Sequence, residues 1–314
     1  MTADLDQLLA AGRFDDAVQL ATQRASAGDA DALFMLGAWR LEGRIMQRDL
    51  AAAREFFRRA GEAGRQDSKT FYTAFVANGT GGPSDWQHAL KLLRTLARKD
   101  HKAKRQLWLI EKMKLTLEGD PVKVPAGQLL CESPQVLRFE ALLTPSECNY
   151  LVDAATPLFK PSVVVGDSGK QVPNPIRTSE TAAFPWPLEN PAVHAINRRL
   201  AAVSGTRADQ GEPLQVLRYY PGQEYRPHFD AVPGLENQRQ LTALIYLNDD
   251  YEGGETLFTK VGLSVRGSLG DAILFRNSDD AGVQRDDTMH AGLPVTSGLK
   301  LIASRWIRQR RLEV

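Results

Sequence analysis

The segment YYPGQEYRPHFDAV places His228 and Asp230 two residues apart. Along an extended chain, residues i and i+2 project to the same side. An imidazole and a carboxylate at this spacing can therefore grip one cation from a rigid strand. A third ligand has to come from elsewhere, and the chain has five histidines: His88, His101, His194, His228 and His290. The first two sit in helix-patterned sequence, and His194 follows PLENP in a further helical pattern. Only His290 comes after the strand-rich region and just ahead of another strand. H-x-D alone recurs by chance, and a lone histidine is more often a hydrogen-bonded structural residue. With His290 added, two nitrogen donors and one anionic oxygen donor leave three positions open on an octahedral ion.

Lys300 follows His290 by ten residues, inside the apolar stretch LKLIASRWI. A lysine there is costly unless it is paired or its amine reaches outward to water. Strand alternation puts Lys300, Ile302, Ser304 and Trp306 on one face. If that face is the interior, the ammonium needs an anion, and a dicarboxylic cosubstrate supplies one. The alternative is an outward-facing lysine on an edge strand. Two histidines and one carboxylate with open positions form the facial triad of non-haem iron(II) oxygenases.

The elements that must position these residues are short strands. PSVVV, LQVLRYY, LTALIYLN, ETLFT, LSVRG, DAILFRN and LKLIASRWI are separated by GDSGK, YPGQ, NDDYEGG and TSG, a pattern of a sandwich or jelly roll. TPSECNYLVDAA predicts one helix, with Thr144 as N-cap, Pro145 at the first helical position and Glu147 completing a capping box. The first third has a different texture. Ala17, Ala53 and Ala89 recur every 36 residues, as do Gly28, Gly64 and Asp100, and Leu20, Phe56 and Leu92. This period predicts stacked helical hairpins, with small residues where helices approach and Phe56, Phe57, Leu92 and Leu93 between hairpins. LEGDPVKVPAG carries proline and glycine without periodicity. The reading is thus a repeat domain over residues 1–116, a linker over 117–130 and a second domain over 131–314.

Within the repeats, DALFMLGAWRLEGRIMQRDLAAAREFFRRAGEAG resembles a Sel1-like repeat, a relative of the tetratricopeptide repeat. Across residues 133–310, the blocks VLRFEALLTPSECNYLVDAA, IRTSETAAF, LQVLRYYPGQEYRPHFD, LTALIYLNDDYEGGETLF, GDAILF and HAGLPVTSGLKLIASRWI resemble the prolyl 4-hydroxylase-like branch of the 2-oxoglutarate oxygenases. The resemblance implies an α+β chain: N-terminal α-helical hairpin repeats, then a double-stranded β-helix (jelly-roll) catalytic domain with flanking helices. It implies a dioxygenase in which His228, Asp230 and His290 hold Fe(II) and Lys300 pairs with the far carboxylate of 2-oxoglutarate. Tyr219 matches a tyrosine that donates to that carboxylate, and Tyr220, of opposite strand parity, competes for the role. Dioxygen is the co-reactant and ascorbate the reductant. Tyr225, Arg239, Trp306 and Arg177 match positions along a peptide-binding groove, although Trp306 also fits a core position and Arg239 a surface strand. VVVGDSGKQVPNP reads as a lid hinged at Gly166 and Gly169. The implied reaction hydroxylates a prolyl residue of a peptide or protein, releasing succinate and CO2. The alternatives are the same chemistry on another peptidyl side chain, a free amino acid or a small metabolite, and a non-catalytic interaction module.

The bulk properties are compatible with this reading. The 314 residues carry 39 Lys and Arg against 38 Asp and Glu, a net charge of +1, so no global basic field points to nucleic acid. Cys131 and Cys148 cannot make a disulfide framework and fit a reducing compartment or a single incidental pair. No apolar run is long enough for a bilayer, and MTADLDQLLAAGRFDD lacks the pattern of a signal peptide. A cytoplasmic protein is expected, with no membrane and no nucleic-acid partner. A basic run between Lys91 and Lys114 fits a solvated helix face or a docking surface for an acidic protein or RNA. The repeats either stabilise the second domain or bind a protein partner.

Overall fold

The computed structural model describes residues 4–162, 164–165, 171–172 and 176–312. Gly166 and Gly169, read from sequence as lid hinges, lie outside the described residues. The chain divides into two compact units, Met1–Gly119 with Trp186–Ala195, and Asp120–Pro185 with Ile196–Val314.

The first unit contains seven helices among its described residues before Gly119: α1 Leu5–Ala10, α2 Phe14–Ser26, α3 Ala30–Glu42, α4 Leu50–Glu62, α5 Gln66–Asn78, α6 Trp86–Ala97 and α7 His101–Lys112. The 36-residue period is kept by the helices, because α2, α4 and α6 begin at positions 14, 50 and 86. Ala17, Ala53 and Ala89 are fully buried, as small residues at close helix approaches should be. Phe57 and Leu93 are buried, while Phe56 and Leu92 are only half-buried. Asp29, Asp49, Asp85 and Asp100 cap α3, α4, α6 and α7 through their carboxylates, each cap contributing about 1 kcal/mol. Phe57 is the centre of an aromatic cluster, with ring centroids 5.6 Å from Phe34, 5.4 Å from Phe71 and 5.6 Å from Phe75. Gly37 on α3 makes that packing possible, since a Cβ there would lie 3.0 Å from the Phe57 ring. The basic run falls on α6, α7 and their connections, with Lys91, Arg94, Arg98, Lys99, Lys102, Lys104, Lys112 and Lys114 all exposed.

The second unit is built on two antiparallel sheets. The larger has eight strands in the spatial order Gln128–Glu132, Gln135–Phe139, Ala272–Arg276, Arg239–Tyr246, Lys300–Arg308, Leu214–Tyr219, Glu180–Phe184 and Lys160–Pro161. The smaller has four, in the order Leu263–Val265, Thr256–Phe258, His290–Gly292 and Tyr225–His228. Phe258 and Val265 of the smaller sheet share one buried cluster with Val136, Leu217, Tyr246, Phe275 and Ile302 of the larger. The two sheets therefore face one another across a common interior, which is the double-stranded β-helix arrangement. This unit also holds the helix α8 Pro145–Ala155 and, from Ile196 onward, the helix α9 Pro191–Ser204. The capping box forms as read: the Thr144 hydroxyl accepts from the Glu147 backbone N–H, and the Glu147 carboxylate accepts from the Thr144 N–H. The same Glu147 takes a two-pronged ion pair from Arg199 of α9, so one carboxylate both starts α8 and ties it to its neighbour. Among the described residues no helix is long and apolar enough to cross a membrane.

Truncating Phe57 to alanine should open a cavity in the aromatic cluster and cost the helical unit about 3–5 kcal/mol. Urea unfolding followed by far-UV circular dichroism should show the loss in the helical transition.

Candidate active site

The smaller sheet and the interior face of the larger one bring the sequence-nominated ligands together. His228 ends its strand, and Asp230 lies in the bend just beyond it rather than in the extended run that the sequence suggested. His290 opens the neighbouring antiparallel strand and pairs directly with His228. The resulting group is tight: the ligand atoms of His228, Asp230 and His290 lie within 4.8 Å of one another. His228 Nε2 is 3.6 Å from Asp230 Oδ1, and His290 Nε2 is 3.7 Å from Asp230 Oδ2.

Local hydrogen bonds prepare the donors. Nδ1 of His228 faces the Arg226 carbonyl at 2.8 Å, and Nδ1 of His290 faces the Thr288 carbonyl at 2.9 Å. A carbonyl only accepts, so each Nδ1 carries a proton, and Nε2 is the ring nitrogen turned to the centre of the group and available to a cation. The rings are clamped as well. Tyr225 stacks on His228 with centroids 3.4 Å apart, and Phe275 and Phe258 lie 4.9 Å and 5.7 Å from His290. Burial, reinforced by the neighbouring His290, pushes His228 down to about 3, so its imidazole is neutral at neutral pH. Burial opposes ionisation of Asp230, but His290, His228, the Thr242 hydroxyl and Arg239 outweigh it and hold the carboxyl below its ordinary range. A neutral imidazole and an ionised carboxylate are the protonation states that a divalent cation needs. The donor set and its geometry fit iron(II).

Lys300 lies on the interior face of its strand, 3% exposed, directly opposite Tyr219 of the adjacent strand. Its Nζ donates to the Gly254 carbonyl at 2.6 Å and lies 5.3 Å from the Tyr219 ring centroid. Among the described residues no carboxylate makes an ion pair with it, and burial pushes the amine down to about 8, with Glu255 pulling weakly the other way. Gly254 is itself constrained: its φ is +69°, and a Cβ would lie 3.0 Å from Lys300 Cδ. Lys300, Ile302, Ser304 and Trp306 all line one cavity, together with Tyr219 and the three candidate metal ligands. Tyr220, of opposite parity, is 43% exposed and packs its ring against Arg218.

Arg177 and Tyr225 also line the cavity, and the Arg177 guanidinium carbon lies 5.0 Å from the Tyr225 ring centroid. Arg239 is placed one layer back. It pairs with both oxygens of Glu212 at 2.6 and 2.9 Å, reaches the Asp230 carbonyl at 3.4 Å and stacks 3.5 Å over the Trp306 ring. It supports Trp306 and the Asp230 backbone from behind. Sequence reading passed over Thr256, which is 3% exposed, lines the same cavity and hydrogen-bonds the Tyr246 phenol through its side chain. The available signal was the alternation in ETLF, which puts Thr256 on the face of the buried Phe258.

A cation gripped by this ligand set keeps coordination positions free, and a buried amine in the same cavity can neutralise the far end of a diacid that reaches it. That combination defines the class, an iron(II)- and 2-oxoglutarate-dependent oxygenase. Comparison with known proteins narrows it. The 2OG-Fe(II) oxygenase superfamily profile matches residues 214–308. Prolyl 4-hydroxylase 1 of Arabidopsis thaliana is 38% identical over 199 residues, which are 57% of this chain and 70% of that protein. Probable prolyl 4-hydroxylase 3 of the same plant is 33% identical over 205 residues, covering 57% of this chain and 71% of the relative. Among solved structures, a viral collagen prolyl hydroxylase from Paramecium bursaria Chlorella virus-1, in its 2-oxoglutarate complex, is 30% identical with a TM-score of 0.47, covering 57% of this chain and 98% of that one. The chain belongs to the prolyl 4-hydroxylase-like branch of the 2OG-Fe(II) oxygenase superfamily.

The Lys300 amine, the group expected to meet the cosubstrate, is a cation below about pH 8 and loses its proton above it. A dianion binds best to the protonated form. The affinity for 2-oxoglutarate should therefore hold steady below that point and fall by up to about tenfold per pH unit above it. Calorimetric titration across this range should show the decline. Lys300→Ala should weaken binding at neutral pH by roughly 10- to 100-fold, remove the decline and leave metal affinity nearly unchanged.

Proposed function

We propose that this enzyme hydroxylates a C–H bond of a prolyl residue in a peptide or protein, converting 2-oxoglutarate and dioxygen to succinate and CO2. The observation that carries the reading is the convergence of His228, Asp230, His290 and Lys300 on one cavity. Bound iron(II) with 2-oxoglutarate supplies an oxidant strong enough for an unactivated C–H bond. His228, Asp230 and His290 would hold the metal. Lys300 binds the far carboxylate of the cosubstrate, with the hydroxyl of Tyr219 beside it as a further donor. Leu217, Leu244 and Ile302 line the same cavity with apolar surface that keeps water from the reacting centre.

The substrate side is assigned to Tyr225, Trp306 and Arg177 at the cavity wall, with Arg239 acting through Trp306. A proline ring packs well against aromatic faces, and Arg177 offers donors for a peptide carbonyl. The prolyl preference rests on the similarity to prolyl 4-hydroxylases and on this wall. The boundaries we propose follow the sequence reading: a repeat domain over residues 1–116, a linker over 117–130 and the catalytic domain over 131–314. In this reading the repeats, with the exposed basic face of α6 and α7, meet a protein partner or the substrate protein. The setting is a reducing, cytoplasmic one, in keeping with the free thiols of Cys131 and Cys148, and ascorbate serves as reductant.

Purified protein supplied with iron(II), ascorbate and 2-oxoglutarate should release succinate slowly without substrate and faster with proline-rich peptides. Mass spectrometry should then locate one added oxygen on proline. His228→Ala or Asp230→Ala should abolish turnover. Stimulation by a free amino acid or a small metabolite, with no peptide modified, would move the assignment to that substrate class. Absence of iron-dependent succinate release from the wild type would overturn it.

A further inference from the structure

Asp230 is the only anionic ligand of the proposed metal group, and its carboxylate is 5% exposed. A buried carboxylate can rotate about χ2 unless something holds it. Here the Thr242 hydroxyl donates to Asp230 Oδ2 at 2.7 Å. Thr242 is itself held, since Asn277 Nδ2 donates to the Thr242 oxygen at 2.8 Å. The Thr242 oxygen thus accepts from Asn277, and its proton is directed to Asp230. Both residues belong to the rigid part of the fold. Thr242 is 1% exposed on the strand Arg239–Tyr246, opposite Trp306, and Asn277 is fully buried just past the strand Ala272–Arg276. Asn277 is anchored by its backbone, donating to the Gln240 carbonyl at 2.8 Å and accepting from the Arg285 N–H at 3.1 Å. With Oδ2 occupied, Oδ1 takes no hydrogen bond among the described residues and lies toward Nε2 of His228.

We propose that Thr242, oriented by Asn277, is a positioning residue that locks the Asp230 carboxylate in the rotamer required for metal binding. The proposal rests on the assignment of His228, Asp230 and His290 as the metal ligands. An apolar residue would be the ordinary choice at a fully buried position of a central strand; here the hydroxyl accepts from Asn277 and donates to Asp230. Its use is to fix the one ligand that is not already clamped, since both imidazoles are held by backbone carbonyls and aromatic neighbours.

The test is calorimetric titration of Mn(II) into the metal-free full-length protein, for wild type, His228→Ala, Thr242→Val, Thr242→Ser and Thr242→Cys. Loss of a hydrogen bond to a metal ligand typically weakens metal affinity by about 10- to 100-fold. Thr242→Val keeps the shape and deletes the donor, so it should show that loss. Thr242→Ser restores the donor and should return within about threefold of wild type, and Thr242→Cys, a weak donor, should fall between. Should the valine variant fail to fold by near-UV circular dichroism, the serine and cysteine variants still rank the effect by donor strength. Unchanged affinity in Thr242→Val, or an equal loss in valine and serine variants, overturns the proposal while leaving the ligand assignment intact. Unchanged affinity in His228→Ala overturns the ligand assignment itself.

Discussion

The structure depends on an electrostatic constraint. Two imidazoles and a carboxylate converge in a dry interior, with a buried amine in the same cavity, and these groups have to be kept in the protonation states that make them ligands. Left alone, each would prefer water. The fold meets the constraint with local acceptors and donors. Backbone carbonyls at Arg226 and Thr288 fix the imidazole tautomers, Thr242 holds the carboxylate, and the Gly254 carbonyl takes one proton of the Lys300 ammonium. The cavity is thereby arranged for a cation and a dianion, whose charges balance those already there.

This constraint explains the sheet architecture around it. The histidines come from paired strands of the smaller sheet and face each other in register. Lys300 and Tyr219 come from paired strands of the larger sheet, also in register. One-residue slips in either pairing would turn a ligand or the amine to the opposite face. Close packing between the sheets, around Phe258, Phe275, Tyr246 and Ile302, resists such slips.

Much of this was legible in the sequence, for identifiable reasons. The 36-residue period was visible because the same small residue recurs wherever two helices touch. The capping box of α8 was visible because its residues are local. His228, Asp230, His290 and Lys300 stood out because polar and ionisable residues are anomalous in a strand-rich, apolar region. Thr256, Thr242 and Asn277 did not stand out. Threonine is common in strands, and a buried hydroxyl looks the same in sequence as an exposed one. The short strand His290–Gly292 was missed because a ligand residue interrupts its apolar alternation. Trp186–Ala195 groups with the helical repeats despite its distance along the chain, through contacts such as the Asn78 side chain donating to the Trp186 and Glu189 carbonyls. Nothing in a linear pattern announces such a pairing. The position of Arg239 behind Trp306 was likewise hidden, because its partner Glu212 is remote in sequence.

The central claim is that metal and diacid occupy one cavity and meet there. Its most direct test is calorimetric titration of 2-oxoglutarate into the protein with and without saturating Mn(II). A shared site predicts a single equivalent bound, at least about tenfold tighter when the metal is present, with a reciprocal gain for the metal. Binding of the diacid that is indifferent to the metal would contradict it.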